Sequence, residues 1–222
     1  MTNPRPELDL SLLPDGGVQW LDASGPNSDV VISTRMRLAR NVSGYAFTGR
    51  ARDGERLRLL AQVRDALGGV PTLRSSVLVR LDELEAVDRQ LLHERHLVSK
   101  ELAGLDPQHP VRSGAAAFLG ETAGLLVNEE DHLRLQALRS GFAVAEAFGA
   151  VTRLDRELGG QLPYAYHREF GFLTACPTNT GTGLRASVLI HLPGLVLTKE
   201  IGKVLAGLQQ MGLTYRGLYG EG

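Results

Sequence analysis

Residues 176–193 read Cys176-Pro-Thr-Asn-Thr-Gly-Thr-Gly-Leu-Arg-Ala-Ser-Val-Leu-Ile-His-Leu-Pro193, and their character changes halfway. From Thr178 to Gly183 the side chains are small, so the backbone can reach positive φ and bring N–H groups close to an anion. From Leu184 to Leu192 the residues are mostly apolar and partly β-branched, which predicts a core strand. A lone thiol, Cys176, stands at the mouth of the loop, and Arg185 enters at its far end on a rigid element. By itself this predicts an anion-binding turn leading into a sheet. Its partners have to come from the rest of the chain.

With 222 residues, of which 43% are hydrophobic, the chain can bury a substantial core as one domain or one and a half. A net charge of −1 gives no global attraction to nucleic acid or to a membrane surface, so neither is expected as a partner. The basic residues are lopsided, 21 Arg against 3 Lys. The codon bias of a GC-rich genome accounts for most of such an excess, while some of the arginines can be planar, bidentate phosphate clamps. A single cysteine excludes an internal disulfide, and no Cys/His spacing suits zinc. The first fifteen residues are acidic and carry proline, without a signal peptide's basic and apolar regions, and no apolar run is long enough to span a bilayer. A cytoplasmic location is the expectation.

Outward from the loop, residues 1–28 are expected to be a leader rich in Pro, Gly, Asp and Ser, with Trp20-Leu21 anchoring it to the body. In Asp29-Val-Val-Ile-Ser-Thr-Arg-Met-Arg-Leu-Ala-Arg-Asn41, period two puts Ser33, Arg35 and Arg37 on one face and Thr34, Met36 and Leu38 on the other. Two arginines side by side on a strand repel unless an anion lies between them. A solvated edge strand is the plainer reading, and the apolar flanks favour an anion site. Residues 53–68 have helical spacing, residues 75–81 alternate like a strand, and residues 82–97 return to helix with His96 near the end. Residues 114–128 predict a hairpin. From Asn128-Glu-Glu-Asp-His-Leu-Arg134 an apolar-periodic helix is expected to run to about Phe148. In that reading Glu129 and Asp131 are ordinary first-turn acids, and Glu130 and Arg134 an i,i+4 pair. A short strand at residues 171–174, an amphipathic helix at residues 195–211 and a strand at residues 213–215 complete the expectation.

Five arginines (Arg35, Arg37, Arg134, Arg185, Arg216), two glutamates (Glu130, Glu221) and one thiol (Cys176) thus fall at expected element boundaries. Charge-assisted bonds from arginine stabilise an anion by about 1.5–3 kcal/mol each, so several can hold a triphosphate without a phosphate-binding loop of the Gly-x-x-x-x-Gly-Lys type. Neither that motif nor a His-Arg-Asp catalytic loop is present.

These segments resemble the ATP:guanido phosphotransferase (phosphagen kinase) family, and within it the bacterial protein-arginine kinases. The resemblance rests on Ser33-Thr-Arg-Met-Arg-Leu-Ala-Arg-Asn41, Glu94-Arg-His-Leu97, Asn128-Glu-Glu-Asp-His-Leu-Arg134, Cys176 to Pro193, and Arg216-Gly-Leu-Tyr-Gly-Glu221, in the family's order. It implies an α/β chain of α+β type, a largely antiparallel β-sheet flanked by helices. It implies that ATP is held by Arg35, Arg37, Arg134, Arg185 and Arg216, with His96 near the base. Ser33, Thr34, Met36, Ala186, Ser187, Val188, Leu189, Gly217, Leu218, Tyr219, Gly220 and Glu221 would lie along the nucleotide. Mg2+ would be held by the nucleotide rather than by protein ligands. Glu130 and Glu221 would grip the acceptor guanidinium, with Cys176 against it as a positioning group. Guanidinium is a poor nucleophile because its lone pairs are delocalised, and two carboxylates can both pin it and take its proton.

Only 32 residues precede Ser33, where creatine- and arginine-type kinases resemble two-part proteins with a helical domain in front. Without a domain to close over a small amino acid, an arginine on a protein surface becomes the expected acceptor. The resemblance also implies an activator protein, protease and chaperone machinery, and a homodimer as partners. Residues 29–222 are expected to be a guanido-kinase catalytic domain incomplete at its C-terminal end. The competing expectations are a free-guanidine kinase and a truncated, non-catalytic domain that binds nucleotide or a partner.

Overall fold

The structure, a computed structural model, describes residues 8–217. The residues expected along the nucleotide or acceptor at Leu218, Tyr219, Gly220 and Glu221 lie outside the described residues. Six strands form one sheet: β1 (Val31–Arg40), β2 (Val77–Arg80), β3 (Ala116–Leu119), β4 (Gly124–Val127), β5 (Leu133–Ser140) and, further on, Leu184–Ile190. Two short strands, β6 (Tyr166–His167) and β7 (Gly171–Phe172), make a separate hairpin, so Leu184–Ile190 is β8. The sheet order is β2-β3-β4-β5-β1-β8, with every neighbouring pair antiparallel. The helices are α1 (Asp53–Ala66), α2 (Ala86–Glu94), α3 (Val144–Gly159), α4 (Pro193–Leu197) and α5 (Ile201–Gln210).

Cross-strand register sorts the side chains into two faces, because residues directly opposite in an antiparallel pair point the same way. Met36 and Leu38 of β1 face the same side as Ala137, Leu135 and Leu133 of β5, then Leu125 and Val127 of β4 and Phe118 and Ala116 of β3. This side packs against Leu59, Leu60 and Val63 of α1 and Ala147, Val151, Leu154 and Leu158 of α3. The α3 positions recur at helical spacing and form one apolar stripe. Each fully buried leucine there contributes about 1.5–3 kcal/mol.

The opposite face is divided. Its β2–β4 half, with Ala117, Leu119 and Leu126, is covered by Leu84 and Leu92 together with Val98 and Leu102. Its β5–β1–β8 half carries Arg134 and Gln136, Arg35 and Arg37, and Arg185 and Ser187. The 8–28 segment folds into short 3-10 turns. Leu13 joins the second apolar cluster, and the buried Trp20 indole donates to the Arg95 carbonyl at 3.1 Å while its ring meets His96 edge-on at 4.9 Å.

Several local expectations are corrected. The helix expected from residue 128 to Phe148 is a turn followed by strand β5, and α3 starts only at Val144. Leu133, Leu135 and Ala137 are buried on one face while Arg134 and Gln136 line the other, a period of two. Asn128 sits at φ 62, and its side-chain amide donates to Gly114 O and Arg56 O, which fixes the turn. β8 is not a core strand but the sheet edge, and it stops at Ile190 with much of its length exposed. The single helix expected over residues 195–211 is two, α4 and α5, separated where Lys199 takes φ 60. The helix expected over residues 82–97 covers only Ala86–Glu94, since Asp82 is engaged by the Arg80 guanidinium at 2.9 and 2.8 Å. The strand expected at residues 171–174 is the two-residue β7, and residues 213–215 form no strand.

Candidate active site

Residue by residue, the open half of the sheet gathers charge of one sign. Arg185 lies directly across from Arg37, Ser187 across from Arg35, and Arg134 across from Ala39 on the other side of β1. Arg35 is pushed down to about 10, first by burial and then by the positive charges of Arg134 and Arg185. Arg37 is pushed down to about 9 by burial and by Arg35, Arg134 and Arg185, with Glu129 acting in the opposite direction. Arg185 is lowered by burial and by the charges of Arg216 and Arg134. The five arginines therefore share one electrostatic neighbourhood although they span the chain from residue 35 to residue 216. The Arg37 Nε is buried without a hydrogen-bond partner. A buried donor left unpaired costs about 1–3 kcal/mol, so this face suits an anion.

The acidic side is built on the turn before β5. Glu129 is 1% exposed, and its Oε1 pairs with the Arg134 guanidinium and accepts from Ser99 Oγ at 2.5 Å. Its Oε2 accepts from the Glu130 N–H at 3.1 Å. Glu130 itself is half-exposed, its Oε2 lying 4.0 Å from the Arg134 guanidinium. Its carboxyl is raised above the usual range by burial and by the charges of Asp131 and Glu129, against the opposing pull of Arg134.

Asp131 joins this turn to the cysteine loop. Its Oδ1 accepts from the Ala175 N–H and from Asn41 Nδ2, each at 2.6 Å, and Asn41 also donates to Leu173 O at 3.0 Å. Cys176 stands next in the chain, half-exposed, with its Sγ 2.9 Å from Thr178 Oγ1. His132 is buried; its Nδ1 accepts from the Val42 N–H at 3.0 Å and its Nε2 lies 2.8 Å from Ala46 O. Nδ1 being the acceptor, the neutral ring carries its proton on Nε2, and burial lowers its pKa accordingly.

The glycine-rich loop is anchored by Arg40. This guanidinium is 3% exposed, grips Asp155 of α3 at 2.9 and 2.8 Å, and donates to Ala39 O and Thr182 O at 2.8 and 2.9 Å. The Phe172 ring lies over it at 3.6 Å. Gly183 takes φ 62 with the Ala39 carbonyl 2.6 Å from where a Cβ would be, so only glycine lets the chain turn here into β8.

Of the residues singled out from sequence, Ser33, Arg35, Arg37, Arg134, Arg185, Ser187 and Leu189 share the arginine face. Thr34, Met36, Ala186 and Val188 belong to the other face, where Thr34 Oγ1 donates to Gly141 O at 2.7 Å and Met36 is buried in the helix-side core. His96 flanks the arginine face. It takes φ 58, its carbonyl accepts from Arg35 at 3.3 Å, and burial followed by the Arg35 charge pushes its imidazole down to about 4. Arg216 and Gly217 are exposed, in a segment without regular structure. Sequence reasoning passed over Glu129, Asp131, Asn41, Ser99 and Arg40 as site supports. The signal for the first two was the strand period after Asn128, which a turn and not a helix would precede.

The match to a family model for ATP:guanido phosphotransferase, C-terminal catalytic domain, covers residues 58–222. The chain is 43% identical over 208 residues to a protein-arginine kinase of Desulforamulus reducens, covering 92% of this chain and 57% of that protein. It is 42% identical over 220 residues to a protein-arginine kinase of Moorella thermoacetica, covering 96% and 61%. Among solved structures it resembles the duplicated taurocyamine kinase of Schistosoma mansoni with bound transition-state-analogue components, at TM-score 0.75 and 29% identity, over 98% of this chain and 30% of that one. It also resembles a lombricine kinase at TM-score 0.68 and 27% identity, over 98% and 60%. An antiparallel sheet with one open arginine face, a carboxylate turn and a cysteine loop tied to that turn thus have the same explanation as the sequence match: the chain belongs to the ATP:guanido phosphotransferase family.

Proposed function

We propose that this chain carries the nucleotide and acceptor sites of an ATP-dependent protein-arginine kinase. The observation that carries the reading is the single open sheet face on which Arg35, Arg37, Arg134 and Arg185 converge, beside a turn that presents Glu130. Mutual repulsion among these guanidinium groups is relieved by a polyanion, and Arg37 offers a buried donor to one. ATP fits this face, with the phosphates on the arginines and the base toward His96. Mg2+ would enter on the phosphates, held by the nucleotide rather than by protein ligands, as the family likeness implies.

In the reaction a guanidinium nitrogen of arginine attacks the γ-phosphorus, the N–P bond forms, and the bonding pair to the bridging oxygen leaves with ADP. The proton released from that nitrogen goes to Glu130, whose raised pKa makes it a better base than an ordinary carboxylate. The four guanidinium groups of this face stabilise the charge on the transferring group. Cys176, held through Asp131 beside the same turn, positions the acceptor. Glu221 is assigned the second carboxylate on family likeness alone. The protein substrates, the activator, the protease and chaperone machinery, the homodimer and the cytoplasmic location belong to this reading on the same likeness. Among the described residues no helix is long and apolar enough to cross a membrane.

The test is acid-labile phosphate on an arginine-rich protein incubated with the purified chain, ATP and Mg2+, with free arginine assayed in parallel. Labelled protein and unlabelled free arginine are expected. Labelling of free arginine alone would move the assignment to a free-guanidine kinase. Labelling of neither, with nucleotide bound normally, would leave a nucleotide-binding domain.

A further inference from the structure

Arg134 forms an ion pair with a buried carboxylate, Glu129, and that partner is itself held by a residue outside the turn and the strand. Glu129 Oε1 receives both the Arg134 guanidinium and the Ser99 hydroxyl, while Oε2 receives the N–H of Glu130. The Glu129 carbonyl accepts from Arg112, so the residue is fixed through backbone and side chain together. Ser99 lies in the connection after α2, far in sequence from the acidic turn. It is only half-buried, and it belongs to none of the motifs singled out from sequence.

We propose that Ser99 is a positioning residue that acts through Glu129 on Arg134. A carboxylate with no competing donor would draw the guanidinium wholly onto itself. By occupying part of Oε1, Ser99 leaves Arg134 capacity to turn donors toward an incoming phosphate. It also fixes the carboxylate plane, so that Oε2 stays on the Glu130 N–H and the base keeps its place. One buried carboxylate therefore aligns a group of the nucleotide side and the base of the acceptor side, and Ser99 sets its orientation. The inference rests on the nucleotide reading of the arginine face.

Ser99 also has a local role, because its hydroxyl accepts from the Leu102 N–H at 3.2 Å. The experiment has to separate the two. MgADP affinity is measured by calorimetry for the parent protein, Ser99→Ala, Arg134→Ala and the double variant, with Ser99→Thr as the conservative control. Ser99→Ala is expected to weaken MgADP about tenfold, the size of one hydrogen bond to a charged group. Ser99→Thr keeps the hydroxyl and is expected to bind like the parent. In the Arg134→Ala background Ser99→Ala is expected to have no further effect, because residues acting through one another are not additive.

A purely local role predicts instead the same loss in both backgrounds, and that result overturns the proposal. So does a Ser99→Ala protein that binds MgADP as the parent does. A parent protein that binds no MgADP overturns the nucleotide reading together with the proposal. A parent that binds MgADP, shows the non-additive cycle and phosphorylates no arginine removes the kinase assignment and leaves the positioning role standing.

Discussion

In the proposed reaction Glu130 is the base, and its charge state is set by its surroundings. Burial, Asp131 and Glu129 raise its pKa, Glu101 adds to them weakly, and Arg134 opposes. A general base works in its deprotonated form, so the rate rises with pH through this pKa. The acid limb of the kcat/KM profile is therefore expected above the ordinary glutamate value of about 4.3. In Glu129→Gln one neighbouring negative charge is removed, and the midpoint of that limb should move to lower pH whatever happens to the absolute rate. A limb at the same pH in both proteins would place the proton elsewhere. Glu130→Gln, which keeps the shape and loses the base, should abolish transfer while MgADP binding persists.

Among the elements, β1 does two jobs through alternate residues. Its helix-side residues anchor the core, and its other side supplies Arg35 and Arg37. At its end Arg40 reaches across to α3 and to the loop before β8. Arg40→Ala would leave Asp155, whose side chain is 18% exposed, without its cation and Thr182 O without its donor. Removing one partner of such a pair is expected to cost about 3–5 kcal/mol, measurable by urea unfolding. Replacing both, as Arg40→Met with Asp155→Leu, should recover much of that stability, because no buried charge is stranded. It should not recover nucleotide affinity, because Thr182 and the turn at Gly183 would still have lost their anchor. Full recovery of both would mean that Arg40 is only a core residue.

For the molecule as a whole, the 8–28 segment is joined to the arginine face through its single tryptophan. Trp20 is 8% exposed, donates to the residue before His96 and meets the His96 ring edge-on. Since the chain has one Trp, its emission reports on this junction alone. A blue-shifted emission that changes on adding MgADP is expected, with unfolding followed by fluorescence coinciding with unfolding followed by circular dichroism. If the fluorescence transition comes well before the loss of helix and strand, the segment is an independent flap and not part of the cooperative unit. At the other end α5 buries no residue. The chain spans 57% of the Desulforamulus reducens relative's length.

By itself the sequence determined the class of fold and the family. Alternation through residues 29–41, the hairpin over residues 114–128 and the glycine-rich turn before Arg185 are local patterns, and local patterns survive without knowledge of their partners. The edge position of β8 was not legible, since an apolar run looks alike in the middle of a sheet and at its border. Nor was β5 distinguishable from a helix after Asn128-Glu-Glu-Asp, because acids ahead of an apolar run suit a helix N-terminus as well as a turn. Only the tertiary structure made Glu129 the buried partner of Arg134 and Asp131 the clasp of the cysteine loop. Those assignments depend on which residues stand across from one another, and register is a property of paired strands that no single strand contains.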